Sequence, residues 1–232
     1  FKNVKWIQEI IIQADLMDNI SVIVRSRNEE QHIGYCLQSI TDFIGKPEII
    51  LVDNESTDNT IRIVNSFEYH NVKKLSISNN DYTPGRALNM GIEEATGDYI
   101  IVLSSHCQIT LLDLNGIETK LKDRENVAIW GKQIPIMYGK RIGMRYMWSN
   151  FGDNPVENYF CEAENRYFFH NAFSMFKADF IKDNPFDEVF AGKEDRYWAI
   201  DMIENGYKIL YEPTNIVNHF YTQNGATWKG VG

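Results

Sequence analysis

The feature that most constrains this chain is an alternation of short β-branched runs with segments of helical periodicity between residues 20 and 103. Four runs of strand length are separated by three amphipathic segments. Strands that alternate with helices pair in parallel through right-handed crossovers. The sequence therefore predicts an α/β domain with strands at 20–24, 48–52, 73–78 and 99–103, and with helices at 29–43, 59–67 and 87–95.

The rest of the chain is less regular and richer in aromatic residues. A helix is predicted at 194–205 and a strand at 208–211, and Pro213 precedes a return towards residue 219. Residues 4–14 also show helical spacing of apolar side chains. We divide the chain into an N-terminal helical lead-in at 1–19, an α/β half at 20–110, and a smaller mixed half of the same domain at 111–232.

Composition excludes several classes of protein. The chain has 232 residues, which fits one large domain, and its net charge of -9 disfavours binding to nucleic acid. No apolar run approaches the ~20 residues that a bilayer-spanning helix needs. Cys36, Cys107 and Cys161 form no paired motif, which is typical of reduced thiols in a cytosolic protein. We interpret the chain as a piece of a longer polypeptide, whose other segments would provide any peripheral membrane association.

Polar clusters follow three of the four predicted strands, at 25–29, 53–58 and 104–106. The carboxyl ends of parallel strands meet at one edge of a sheet, and ligands bind there where the strand order reverses. The sequence therefore predicts a binding site at this edge. For Asp53 and Asp58 the alternative is that both only form turns.

Four segments resemble, in order and in spacing, those of family 2 glycosyltransferases with the GT-A fold. They are VIVRSRNEE, EIILVDNESTDNT, RALNMGIEEATGDYIIVLSSH and the stretch from Asn184 to His219. The resemblance implies a Rossmann-like, mostly parallel central sheet flanked by helices, with a smaller mixed region on the acceptor side. It also implies that the chain is an inverting glycosyltransferase of bacterial surface polysaccharide synthesis, moving a sugar from a nucleotide-sugar donor to an acceptor hydroxyl.

The resemblance also implies roles for individual residues. Asp195 matches the general base, with Glu194 beside it, although an acidic start of an ordinary helix is the alternative for both. Asn171 lies in the stretch that borders donor and acceptor. Trp148 and Tyr146 would form an acceptor platform, with core packing as the alternative. The implied donor-binding residues are Arg25, Arg27, Glu29, Asp53, Arg86, Asn89, Ser104 and Ser105.

The metal site departs from the family's usual pattern. The family usually has Asp-x-Asp after the fourth strand, whereas this chain has Ser104-Ser105-His106, as in a subset of the family. His219 matches the family's other metal-binding position. Two imidazoles suit a divalent cation such as Mn²⁺ better than Mg²⁺, which prefers carboxylates. The alternatives are that His106 and His219 are structural, or that no metal is needed and His106 contacts the pyrophosphate directly.

The expected partners are a nucleotide-sugar donor, with UDP favoured, and a glycan or lipid-linked glycan acceptor. The expected location is the cytoplasm, at the inner face of the membrane. One alternative is a sugar-phosphate nucleotidyltransferase, which would need a Gly-rich phosphate loop that 25–28 lacks. The other is a non-catalytic module that binds sugar nucleotides or glycans, which the missing Asp-x-Asp supports.

Overall fold

A computed structural model describes residues 20–67, 72–143, 147–223 and 225 of the chain. The helix predicted at 4–14, the lead-in at 1–19 and Tyr146 lie outside these described residues. Within the described ranges, the helices are too short or too polar for any of them to cross a membrane.

Four parallel strands form one side of a larger sheet, in the order β3-β2-β1-β4 with β3 at the edge. They are β1 (Ile20–Ser26), β2 (Glu48–Asp53), β3 (Val72–Ser76) and β4 (Tyr99–Ser104). Three helices connect them: α1 (Ile33–Ile44), α2 (Thr60–Asn65) and α3 (Pro84–Glu94). This arrangement confirms the α/β fold, and it places the reversal of strand order between β1 and β4.

Both faces of this parallel part of the sheet are covered, which explains why its strands are continuous apolar runs in the sequence. Ile23 on β1 packs into one core cluster, whereas its neighbours Val22 and Val24 pack into the other cluster on the opposite face. Successive side chains of a strand point to opposite faces, so a fully buried strand needs apolar residues at every position.

Helix α3 begins three residues earlier than the sequence predicted. Thr83 caps it, because the Thr83 hydroxyl accepts a hydrogen bond from the Arg86 backbone N–H at 3.1 Å. Pro84 occupies the first helical turn, where its missing N–H costs nothing. The predicted helix starts at residue 87 and therefore lacks this first turn.

The second half of the chain extends the same sheet with antiparallel and mixed pairing, in the order β4-β11-β6-β12-β5. Its strands are β5 (Cys107–Leu111), β6 (Asn126–Met137), β7 (Lys140–Arg141), β8 (Val156–Glu157), β9 (Phe160–Cys161), β10 (Arg166–Tyr167), β11 (Phe173–Lys177) and β12 (Lys208–Phe220). Its helices are α4 (Leu114–Leu121), α5 (Ala178–Asp183) and α6 (Glu194–Glu204), with 3₁₀ turns at Trp148–Asn150 and Glu162–Glu164. β9 and β10 form a separate hairpin.

Strand β12 does not stop at residue 211, as the sequence predicted, but continues through Pro213 to Phe220. Its register against β6 shifts between Glu212 and Ile216. A proline has no N–H for a sheet ladder, so within a strand it is tolerated at such an irregularity. The bulge lets one strand reach from the far end of the sheet to the edge where β1 and β4 end.

Candidate active site

The carboxyl ends of β1 and β4 open into a cleft with a volume of about 870 Å³. Arg25 on β1 lies opposite Ser104 on β4, so the polar clusters after both strands meet at one edge. Nine of the residues proposed from sequence line the cleft: Arg25, Arg27, Glu29, Ser104, Ser105, His106, Asn171, Glu194 and Asp195. Residues that are distant in the sequence therefore converge on one open volume.

Three predicted donor-binding residues lie near this edge but do not line the cleft. The Asp53 carboxylate, at the end of β2, accepts hydrogen bonds from the Ser56 hydroxyl at 2.5 Å and the Ser56 N–H at 2.9 Å. Arg86 is exposed and lies 3.6 Å from Asp81. Asn89 hydrogen-bonds both the N–H and the carbonyl of Phe186. In this conformation Asp53 and Asn89 hold neighbouring loop segments, whereas Arg86 makes an exposed ion pair. The donor contacts of all three stay predictions.

Trp148 and His219 lie behind the cleft wall, in the protein interior. His219 is fully buried, and Trp148 is only 4% exposed and packs its ring edge-on against His219, with 5.2 Å between centroids. Trp148 thus occupies a core position in this conformation. Its role as an acceptor platform stays a prediction.

Asp195 stands at the start of α6 and faces the cleft. Its carboxylate accepts hydrogen bonds from the Asn171 N–H at 3.2 Å and from its neighbour Arg196's N–H at 2.8 Å. Burial raises the pKa of Asp195 above its ordinary value, although these two N–H groups and the nearby guanidinium groups of Arg25 and Arg166 oppose the shift. The result is a fixed carboxylate that is more basic than an exposed aspartate.

Glu194 is committed to an ion pair. Its carboxylate lies 3.2 Å from Arg25 Nη1, and the two side chains are 6% and 19% exposed. Burial raises the pKa of Glu194, while the positive charge of Arg25 opposes that shift. This pair links the end of β1 to the start of α6, and it leaves Asp195 as the carboxylate available for proton transfer.

A second charged group, which the sequence did not predict, connects the β9–β10 hairpin to α6. Glu164 lies 2.5 Å from Arg166 Nη2 and 3.2 Å from Arg196 Nη2. Arg166 also lies over the ring of Phe168, 5.2 Å from its centroid. All four residues line the cleft. No sequence signal pairs Glu164 with Arg196, because the contact joins the 3₁₀ turn Glu162–Glu164 to a helix residue 32 positions away.

The protonation of the buried histidines follows from one backbone group. The Ala172 N–H donates to His170 Nδ1 at 3.2 Å, so that nitrogen carries a lone pair. Gln133 must then turn its NH₂ towards the same nitrogen, at 3.1 Å, and its oxygen towards His219 Nδ1, at 2.7 Å. An amide oxygen only accepts, so His219 holds its proton on Nδ1.

Both of these imidazoles are neutral. Burial lowers the pKa of His170 to about 4 and lowers the pKa of His219 well below its ordinary value. Neutral His219 therefore carries its lone pair on Nε2, and its ring centroid is 4.9 Å from that of His106. His106 Nδ1 lies 3.2 Å from a Glu29 carboxylate oxygen, so this nitrogen is held as a donor.

These two histidines have the chemistry of metal ligands but do not make a metal site alone. Metal-binding imidazoles commonly donate their other N–H to a carboxylate or a carbonyl oxygen, as His106 and His219 do to Glu29 and Gln133. Among the described residues, however, no group of three or more His, Cys, Asp or Glu side chains could hold a metal ion. A divalent cation at this position would need oxygen atoms from a bound diphosphate to complete its coordination.

Two buried polar groups in the cleft wall lack a partner among the described residues. They are the Ser26 hydroxyl and the Asn171 side-chain NH₂. The two residues are 4% and 2% exposed. The Asn171 amide oxygen is held by the Ser174 hydroxyl at 3.1 Å, which fixes the NH₂. Buried donors are rarely left unpaired, so their position in the cleft wall is consistent with a ligand that completes them.

The model of the family described as glycosyl transferase family 2 matches residues 21–184 of the chain. A dolichyl N-acetyl-α-D-glucosaminyl phosphate 3-β-D-2,3-diacetamido-2,3-dideoxy-β-D-glucuronosyltransferase from Methanococcus voltae is 28% identical over 90% of this chain and 69% of its own length. The O-antigen chain rhamnosyltransferase RfbN of Salmonella typhimurium is 21% identical over 74% of this chain and 56% of its own length.

Solved structures resemble the fold. Staphylococcus aureus TarS residues 1–349 in complex with UDP-GlcNAc superpose with a TM-score of 0.71 at 20% identity, covering 91% of this chain and 61% of TarS 1–349. GalNAc-T7 with UDP, GalNAc and Mn²⁺ superposes with a TM-score of 0.68 at 16% identity, covering 89% of this chain and 44% of its own. This chain therefore spans less than two thirds of either solved structure.

Proposed function

The chain belongs to glycosyl transferase family 2 and has the GT-A fold. On that premise we propose that it transfers a sugar from a nucleotide-sugar donor to an acceptor hydroxyl with inversion. The observation that supports this most is the position of Asp195. It is a fixed carboxylate at the cleft edge where β1 and β4 end, beside a second carboxylate that is already paired.

Asp195 would act as the general base. The backbone N–H groups of Asn171 and Arg196 orient its carboxylate, and burial raises its pKa towards the working pH. A base is most effective when its pKa lies near the operating pH, because it is then ionised and still basic. Attack by the deprotonated hydroxyl on the side opposite the leaving diphosphate gives inversion in one displacement.

The donor would lie along the edge formed by the ends of β1, β2 and β4. Arg25, Arg27 and Ser104–His106 are the groups with N–H or O–H donors for a diphosphate there, and Glu29 holds His106 in place. The TarS structures in complex with UDP-GlcNAc and with UDP support a uridine nucleotide as donor. Donor contacts from Asp53, Arg86 and Asn89 belong to the same proposal, although none of these three residues lines the cleft in this conformation.

His106 and His219 are the residues that would hold a divalent cation of the Mn²⁺ class. Such an ion, when bound, would neutralise charge on the leaving diphosphate. We expect transfer to fall in chelator and to recover with added Mn²⁺. Full activity in chelator would contradict the metal proposal and would leave His106 as a direct hydrogen-bond donor to the diphosphate.

The acceptor would be a growing surface glycan or its lipid-linked precursor. The named relatives include one that acts on a dolichyl-linked sugar phosphate and one that extends O-antigen chains, which supports this substrate class. A cytoplasmic location at the inner face of the membrane stays a prediction.

A donor screen would test the proposed function. The protein would be incubated with UDP-, dTDP-, GDP- and CMP-sugars, with release of free nucleotide and formation of glycosylated product measured together. We expect one donor class to be turned over, with the product in the inverted configuration. Binding without turnover would favour the sugar-nucleotide-binding module, and a product of retained configuration would contradict inversion. In a parallel incubation with a sugar 1-phosphate and a nucleoside triphosphate, formation of a sugar nucleotide with release of pyrophosphate would favour the nucleotidyltransferase.

A further inference from the structure

The cleft carries an excess of positive charge beside Asp195. Arg166, Arg196 and Lys193 line the cleft there. Arg166 and Arg196 share the carboxylate of Glu164. With Lys193 the three positive charges exceed by one the two negative charges of Glu164 and Asp195, which line the same part of the cleft. The whole chain has a net charge of -9, so this local excess runs against its overall composition. A concentration of cations that opposes the net charge is the electrostatic signature of an anionic ligand.

The three cations differ in how many of their N–H groups already make a hydrogen bond to the described part of the chain. Arg166 uses Nε and Nη2 on Glu164 and Nη1 on the Tyr167 carbonyl, and so serves the β9–β10 hairpin. Arg196 bonds Glu164 through Nη2, but its Nε and Nη1 make no hydrogen bond to any described residue. Lys193 is exposed and forms no ion pair with the described part of the chain. Arg196 and Lys193 therefore have N–H groups to offer a ligand.

A purely structural role would not account for Arg196. Arg166 already contacts the Glu164 carboxylate through two nitrogens, so the negative charge of Glu164 is balanced without a second arginine. A guanidinium edge presents two parallel N–H groups, a geometry that matches the paired oxygens of phosphate or carboxylate. The side chain of Arg196 is 31% exposed, which leaves that edge accessible from the cleft.

The position of these donors identifies the substrate that they would meet. Lys193 and Arg196 flank Glu194 and Asp195 in sequence, and Lys193 adopts a left-handed backbone conformation at φ 74° as the cap of α6. The acceptor hydroxyl must lie at Asp195 if that residue is the base. Arg25, in contrast, is already balanced by Glu194. The unused cationic donors thus lie where the acceptor binds.

We propose that Lys193 and Arg196 form an anion subsite for the acceptor, so that the acceptor carries a phosphate or carboxylate group close to the hydroxyl that is glycosylated. This inference rests on the proposed function, because it takes Asp195 as the base. Phosphate and carboxylate share the chemistry that the subsite recognises, and matched acceptors would separate the two.

The first test uses titration calorimetry to measure the binding of inorganic phosphate to protein that is saturated with UDP. UDP occupies the donor diphosphate region, so phosphate that still binds occupies another site. We expect the K193Q/R196Q double variant to bind phosphate at least about tenfold more weakly than the wild type. The control is K46Q/R62Q, which removes the same charge from exposed positions outside the cleft. Loss of phosphate binding on addition of UDP, or equal affinity of the two double variants, would overturn the proposal.

The second test compares three acceptors that differ in one group: a methyl glycoside, its 6-phosphate and the corresponding uronic acid. We expect one of the charged acceptors to have a kcat/KM about tenfold above the neutral glycoside, and K193Q/R196Q to abolish that preference. A neutral glycoside that reacts equally well would contradict the anion subsite. Failure of the proposed function is separate, since it would show as no turnover of any nucleotide sugar, while the phosphate titration would still decide for or against the subsite.

Discussion

The two halves of the cleft are built in different ways. On the donor side, the groups come from the ends of β1 and β4 and from the turns that follow, so their positions are set by a buried parallel sheet. On the acceptor side, the groups come from a short hairpin and the first turn of α6, and they are held by ion pairs. The donor side therefore depends on apolar packing, whereas the acceptor side depends on charges that must balance each other.

This difference also separates what each half would tolerate. Apolar packing resists changes of volume, while a buried ion pair resists the loss of either partner, because the remaining charge is left desolvated. The Arg25–Glu194 pair is the exception that joins the two halves, since it connects the end of β1 to the start of α6. Substitutions in the two regions should therefore destabilise the protein by different mechanisms.

The largest effect is expected from Asp195→Asn, which removes the proposed base and keeps the size of the side chain. We expect the rate of transfer to fall by ~10²–10⁴, the typical contribution of general base catalysis. Donor affinity should change little, because the donor side does not depend on this carboxylate. The measurement is kcat and donor Kd for each protein.

Asp201→Asn on the exposed face of the same helix is the matched control, and it should behave like the wild type. An Asp195→Asn protein that keeps near-normal turnover would show that another group accepts the proton. Because Glu194 is held by Arg25, that result would also contradict the division of roles between the two carboxylates.

The second effect concerns the ion pair that joins the halves. Arg25→Met would leave the Glu194 carboxylate buried without its counter-charge, and we expect a loss of unfolding free energy of about 3 kcal/mol. Urea unfolding at pH 7 would measure this loss. Lowering the pH should reduce it, since burial raises the pKa of Glu194 and a protonated carboxyl no longer needs a partner.

Arg25→Met/Glu194→Gln provides the control for that interpretation. Removing both charges should recover much of the stability that the single substitution loses. If the double variant is as unstable as Arg25→Met, the loss comes from packing around the Arg25 side chain and not from an unpaired charge.

A change of volume tests the donor side. A methyl group added at Gly91 on α3 would lie 2.5 Å from Ile23 Cγ2 on β1 and 3.3 Å from Val52 Cγ2 on β2. We expect Gly91→Ala to lower the unfolding free energy by about 1–3 kcal/mol, because a packed helix must move away from the sheet. Thermal or urea unfolding would measure it.

Gly34→Ala on α1 is the comparison for that substitution. The nearest atom to its added methyl group is Ile63 Cγ2 at 3.6 Å, which is ordinary contact. It should therefore stabilise the protein by about 0.5 kcal/mol through helix propensity. Equal effects of the two substitutions would mean that the close approach of α3 to the sheet has no energetic consequence.

The contrast between the halves explains how far the sequence predicted the structure. The strands, the helices between them and the edge where Arg25, Ser104 and Asp195 meet follow from apolar periodicity and from the family resemblance. The Glu164–Arg196 and Gln133–His219 contacts were not predicted. Each joins residues far apart in the chain through single side chains, and such contacts leave no periodic trace in a sequence. The bulge in β12 was missed for a similar reason. In the sequence, Pro213 indicates the end of a strand, whereas the shift of register against β6 that accommodates it involves residues far away in the chain.

The smallest predicted effect is a shift in pH dependence, and it tests whether the acceptor side works through charge. Asp195 must be ionised to accept a proton, so activity should fall as the pH is lowered through its pKa. Burial raises that pKa, while the Arg166 guanidinium opposes the shift. Arg166→Gln should therefore raise the pKa further and move the acidic limb of the kcat/KM profile to higher pH. At alkaline pH, where Asp195 is ionised in both proteins, the two profiles should approach each other.

Arg124→Gln, an exposed substitution that removes one positive charge outside the cleft, should leave the acidic limb in place. An equal loss of activity at every pH in Arg166→Gln would indicate that Arg166 acts only by holding the β9–β10 hairpin through Glu164. If the acidic limb of the kcat/KM profile moves to higher pH, the Arg166 guanidinium lowers the pKa of Asp195 electrostatically. The acceptor side of the cleft would then depend on the balance of its charges.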